Sequence, residues 1–146
     1  MSPGVLDAAL IHRHLSALDA AVRQLRRHAG RPVEALADLD ESWTVQRGLQ
    51  LCVQNCLDVA THVAAAAGRD VPDYATAIDR LGELGALPPD FARRFRAVAG
   101  FRNVLVHGYL DVDPGVVHRI LNERLDDFAS FARHVAAHVG TADGQR

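Results

Sequence analysis

In the stretch FRNVLVHGYLD, Phe101 to Asp111, an arginine, an asparagine, a histidine and a tyrosine fall inside eight residues: Arg102, Asn103, His107 and Tyr109. Histidine gains and loses a proton near neutral pH, and arginine holds a phosphodiester through two parallel hydrogen bonds. Asparagine and tyrosine can orient phosphate oxygens without adding charge. Such a set could cleave RNA without a metal. His107 would take the proton of the 2'-hydroxyl or protonate the leaving 5'-oxygen, and Arg102 would stabilise the charge that builds on the phosphorane. One histidine is half of a general acid and base pair, so a second copy across a dimer interface would complete the chemistry.

The position of Arg102 is unusual. At about 100° per residue, Phe91, Phe95, Val98, Arg102 and Leu105 form one stripe, and the arginine takes a slot that an aliphatic side chain would fill. A guanidinium there is costly unless it meets an anion or a polar cavity. An ion pair with Asp58, Glu123 or Asp126 is the plain alternative to a functional role. Asp58, at the seam of the second helix, is the expected partner: it would satisfy Arg102 and aim it at a cleft, supporting the site. Asn103 and His107 are four apart and share an adjoining face, where a lone histidine could equally be a cap or a buried hydrogen-bonding group. Arg93, Arg94 and Arg96 make the same segment locally basic. They read either as a solvated helix face or, for Arg93 and Arg94, as RNA contacts leading toward Arg102 and His107.

The elements that must position these groups are helices. Apolar residues recur at spacings of three and four nearly from end to end, and no alternating run suggests a sheet. The spacing predicts helices over Val5 to His28, Leu39 to Ala67 and Asp73 to Leu84, a fourth from Pro88 and Pro89 through Val106, and a fifth over Pro114 to Val139. Asp38 with Glu41 suggests a reciprocal N-cap, and Asp113 before Pro114 suggests another. The expected fold is all-α: an antiparallel bundle of four long helices plus one short helix, in a single domain over 1–140, with a disordered tail at 141–146.

Composition narrows the function classes. The chain has 146 residues, 49% of them apolar, enough for one real core. Sixteen positive residues, all arginine, oppose 18 acidic ones for a net charge of -2, which argues against coating long nucleic acid but permits a local phosphate grip. Cys52 and Cys56 lie four apart on one helix and read as core thiols of a reducing compartment. The histidines are too dispersed for a zinc site, so the expectation is no metal. No glycine-rich phosphate loop is present, so no cofactor is expected and any nucleotide chemistry must come from a partner. Neither a leader nor a stretch of about 20 apolar residues is evident, which reads as a cytoplasmic protein without a membrane partner.

The segment RNVLVHGY resembles the R-x4-H-x-Y signature of the HepT-like branch of the HEPN superfamily, small helical toxins encoded beside minimal nucleotidyltransferase antitoxins. The likeness extends through LQLCVQNCLDVATHV, Val71-Pro72-Asp73-Tyr74 and the LxELG turn at Leu81 to Gly85, covering roughly Trp43 to Phe131. The first helix, with His12, Arg13 and His14, matches less closely. The resemblance implies a HEPN-like fold and a metal-independent toxin endoribonuclease acting on single-stranded messenger or transfer RNA. Arg102 and His107 match the catalytic pair, which in the family lines a cleft between two protomers of a homodimer. Asn103 matches a supporting polar residue, and Tyr109 matches the tyrosine that an ATP-using antitoxin modifies with AMP. The added nucleotide would put negative charge and bulk where a substrate phosphate binds. Burial of the outer faces of the fourth and fifth helices would form the dimer. The competing account is a non-catalytic homodimer of the same fold that binds nucleotide, RNA or the antitoxin and cuts nothing.

Overall fold

The computed structural model describes residues 4–144, with side chains given as far as Thr141. In chain order the helices are α1 (Ala8–Arg26), α2 (Leu39–Ala66), α3 (Tyr74–Glu83), α4 (Pro89–Phe95), α5 (Val98–His107), α6 (Pro114–Glu123) and α7 (Leu125–Gly144), with short 3-10 turns at Val33–Ala37 and Tyr109–Asp111. The expected tail falls at 141–146, where side chains from 142 onward and all of 145–146 lie outside the described residues.

Aspartates start α1, α2, α3 and α6. Asp7, Asp38, Asp73 and Asp113 accept from the backbone N–H groups of Leu10, Glu41, Thr76 and Gly115 at 3.0, 3.1, 2.7 and 2.8 Å. Each satisfies a donor that the first helical turn leaves without an intrahelical acceptor. The Asp38 cap is not reciprocal, because the Glu41 carboxylate turns instead to His28 Nδ1 at 2.5 Å and to Arg31.

The fold is all-α, as expected, but not four long helices and a short one. Six helices have ten residues or more, and α4 adds a seventh of seven residues. The predicted fourth helix divides at Arg96 and Ala97. There the ladder tightens by one residue, with Ala99 N–H donating to Arg96 C=O at 3.2 Å, before regular pairing resumes. The predicted fifth helix divides at Arg124, whose φ of -122° and ψ of 0° leave the helical region. Asp127 N–H then donates to Arg124 C=O at 3.1 Å, again a three-residue step.

The longest helix, α2, is the axis of the core. Val45, Leu49, Cys52, Val53, Cys56, Leu57, Val59 and Ala60 on it are fully buried. It packs against α1, α3, α5, α6 and α7. Gly48 permits the closest approach, since a Cβ there would stand 2.6 Å from Leu25 Cδ2 of α1. A phenylalanine cluster fixes α4 on α7: Phe95 stacks on Phe91 and Phe131 with ring centroids 5.0 and 5.2 Å away and meets Phe128 edge-on at 6.0 Å. With α4 anchored, α5 is laid against α2 and α3, which fixes where Arg102 emerges.

Candidate functional site

Arg102 sits in the middle of α5, half-buried, with its neighbours Ala99 and Leu105 in the core. Its Nε–H donates to Gln54 Oε1 of α2 at 3.1 Å, and its Nη1 donates to Asn103 Oδ1 at 3.3 Å. Nη1 also lies 3.5 Å from His107 Nε2, a contact in which the neutral imidazole would accept. The guanidinium lies over the ring of Tyr74, 5.3 Å from its centroid. Among the described residues no carboxylate forms an ion pair with Arg102, and no hydrogen bond reaches its Nη2.

That pattern restrains the arginine without neutralising it. A hydrogen bond from a charged donor contributes about 1.5–3 kcal/mol, and a cation over an aromatic face about 0.5–2 kcal/mol. Neither supplies the negative charge that a half-buried guanidinium attracts. The structure therefore presents a fixed cation with one nitrogen and its counter-charge unassigned, beside an exposed imidazole.

The expected Asp58 contact is displaced by one helical turn. Asp58 Oδ1 accepts from Gln54 Nε2 at 2.8 Å, so Gln54 stands between the carboxylate and Arg102. The same Gln54 nitrogen donates to the Tyr74 hydroxyl at 3.3 Å. Of the other proposed ion-pair partners, Asp126 pairs with Arg26 at 2.8 Å instead. Gln54 and Tyr74 are the residues that the reading of the sequence missed. Gln54 had one available signal, its position one turn before Asp58 on the same face.

His107 closes α5, and Gly108 caps the helix, its N–H donating to Val104 C=O at 3.0 Å. Tyr109 thus leaves the helix and opens the 3-10 turn, 67% exposed. Val104 and Leu110 beside it are also exposed, at 42% and 85%. Arg102, Asn103 and His107 are brought into contact, while Tyr109 stands free at the rim. Arg93 pairs with Asp90, and Arg94 lies 3.4 Å from Asp127 and over the Phe91 ring, so both solvent-facing arginines have acidic neighbours. Cys52 and Cys56 are free thiols buried in α2. Among the described residues no helix is long and apolar enough to cross a membrane.

Comparison with known proteins identifies the family. The family model described as Ribonuclease HepT-like matches residues 17–135, and the chain belongs to that family, the HepT-like HEPN toxins, a family of ribonucleases. It is 26% identical over 110 residues to a tRNA nuclease HepT of Aphanizomenon flos-aquae, covering 74% of each chain. It is 20% identical over 123 residues to an mRNA nuclease HepT of Shewanella oneidensis, covering 84% of this chain and 92% of that one. The solved structure of the tri-AMPylated Shewanella oneidensis HEPN toxin in complex with MNT antitoxin superposes with a TM-score of 0.79 at 19% identity, over 88% of this chain and 97% of that one. A cytosolic protein of unknown function from Bacillus subtilis, YutE, superposes with a TM-score of 0.82 at 16% identity, over 95% and 94%.

Proposed function

We propose that the chain is the toxin of a toxin-antitoxin pair: a metal-independent endoribonuclease of single-stranded RNA, held in check by a nucleotidyltransferase antitoxin that transfers AMP from ATP to Tyr109. The observation that carries the reading is Arg102, clamped by Gln54 and Tyr74, lacking a carboxylate partner among the described residues, and within 3.5 Å of the His107 imidazole. A scissile phosphate would supply the missing negative charge.

In the proposed reaction a 2'-oxygen attacks the adjacent phosphorus while His107, neutral at Nε2, takes the hydroxyl proton. The P–O bond to the 5'-oxygen breaks, that oxygen is protonated, and the products end in a 2',3'-cyclic phosphate and a free 5'-hydroxyl. Arg102 stabilises the charge on the equatorial oxygens, and Asn103 orients them. The proton delivered to the leaving oxygen calls for a second acid, which a homodimer supplies as His107 of the other copy. Exposed Val104 and Leu110 next to the site support such an interface. Asp58 acts through Gln54, and exposed Arg93 and Arg94 exchange their weak surface pairs for RNA phosphates.

The relatives named as nucleases of transfer and messenger RNA support the substrate class, and the AMPylated Shewanella toxin supports the mode of control. The test is cleavage of a labelled single-stranded RNA by the wild type and by Arg102→Lys. Lysine keeps the charge but loses the planar donor fork, so the rate should fall about 10²-fold with the fold intact. Equal rates would remove Arg102 from the reaction.

A further inference from the structure

Arg102 and Asn103 also wall a cleft of about 570 Å³ that reaches between α2, the entry to α3 and α5. That size is within the range of about 300–1,000 Å³ typical of small-molecule sites. Thr61, Asp73, Tyr74 and Gly100 line it as well. Thr61 also carries a buried Oγ1 without a hydrogen-bond partner, the one side-chain polar atom in that condition among the described residues. A buried hydroxyl left unpaired is a standing cost, and a ligand group removes it.

The cleft is electrically divided. Arg102 supplies a cation at one wall. The Asp73 carboxylate at another accepts from Thr76 N–H at 2.7 Å. That backbone hydrogen bond holds its carboxyl below the usual range, so at neutral pH it is an anionic acceptor. An occupant suited to both carries a phosphate at one end and N–H donors at the other, with a flat apolar body between. A nucleotide has that form.

We infer that this cleft is the subsite for the nucleoside flanking the scissile phosphate, and that Asp73 and Thr61 read the edge of its base. Asp73 accepts from an exocyclic amino group, which guanine, adenine and cytosine carry, whereas uracil offers only a ring N3–H set between two carbonyls. The Thr61 hydroxyl, turned toward the cleft by rotation about χ1, pairs with a ring nitrogen or carbonyl. This assignment rests on the ribonuclease reading for the meaning of the bound phosphate, but the site itself is open to a separate test.

Gly100 provides the means. A Cβ built on it meets nothing within 4 Å, so a side chain can start there, and Gly100→Leu puts bulk at the cleft wall, with circular dichroism checking that the variant folds. The four nucleoside 3'-monophosphates would be titrated into unmodified, isotope-labelled protein while the amide resonances of Thr61, Ala75 and Gly100 are followed. The three amino-bearing nucleotides should shift these amides, and the uridine nucleotide, which offers only its recessed ring N3–H to Asp73, should shift them more weakly. Gly100→Leu should abolish the shifts, and Thr61→Val should weaken binding about tenfold while leaving thermal stability equal or higher. In parallel, wild type and Gly100→Leu would be compared on RNAs that differ at one nucleotide beside the cut. Binding at these amides without any RNA cleavage would support the site while ending the ribonuclease reading. Cleavage with the same base preference in both proteins, or shifts confined to other amides, would overturn the site and leave that reading standing.

Discussion

The Gln54 carboxamide accepts from Arg102 Nε at 3.1 Å while its nitrogen donates to Asp58 Oδ1 at 2.8 Å. The carboxylate thereby orders the amide, and the amide orders the guanidinium. Asp58 holds the nitrogen end, so the oxygen must face Arg102, where a flipped amide would set donor against donor. This relay fixes the arginine in place and leaves its charge for a ligand.

Gln54→Ala should lower kcat on single-stranded RNA about tenfold with a smaller change in KM, because it loosens a group whose full value is realised in the transition state. Asp58→Asn should have a weaker effect of the same kind. Steady-state kinetics beside far-ultraviolet circular dichroism would check both. Wild-type kcat in Gln54→Ala would show that Arg102 needs no clamp.

The relay also marks the limit of what the sequence discloses. Phe91, Phe95, Val98, Arg102 and Leu105 keep their helical spacing, so a charged residue on an apolar stripe was legible, as were His107 and Asn103 beside it. The breaks at Arg96 and Arg124 were not. No glycine or proline marks either, and a single three-residue step leaves apolar residues such as Leu121, Leu125 and Phe128 on the same side. Asp58 was placed on the correct face but one turn from its contact, because periodicity assigns faces and not hydrogen-bond partners. Tyr74 gave no charge or period signal, and Gln54 only its place one turn before Asp58. Only the packing of α2, α3 and α5 brings them to Arg102.

The two thiols should be inert in the native protein. Burial pushes the Cys52 thiol up to about 12, and burial beside Cys52 raises Cys56 well above its ordinary value. At pH 8 a thiol at that value is about 10⁻⁴ thiolate, and the thiolate is the reactive form. A thiol-specific reagent should therefore label neither cysteine until denaturant is added, when both should react. Rapid labelling of either in native protein would contradict the packing around α2.

Modification should fall on the tyrosine that stands free at the rim. After incubation with the cognate antitoxin and ATP, intact-mass analysis should find adenylyl mass on the wild-type chain and none at this position in Tyr109→Phe. The variant should still cut RNA and should escape inhibition by the antitoxin. An unmodified wild type would remove Tyr109 as the acceptor.

The central claim is that His107 transfers a proton at a phosphate held by Arg102. It is tested most directly by incubating purified, unmodified protein and a His107→Ala variant with single-stranded RNA in chelator and identifying the product ends. The account predicts fragments ending in 2',3'-cyclic phosphate from the wild type and a loss of at least about 10²-fold in the variant. Undiminished cleavage by His107→Ala, or no cleavage by folded wild type across several RNAs, would contradict it and favour a binding protein built on the same fold.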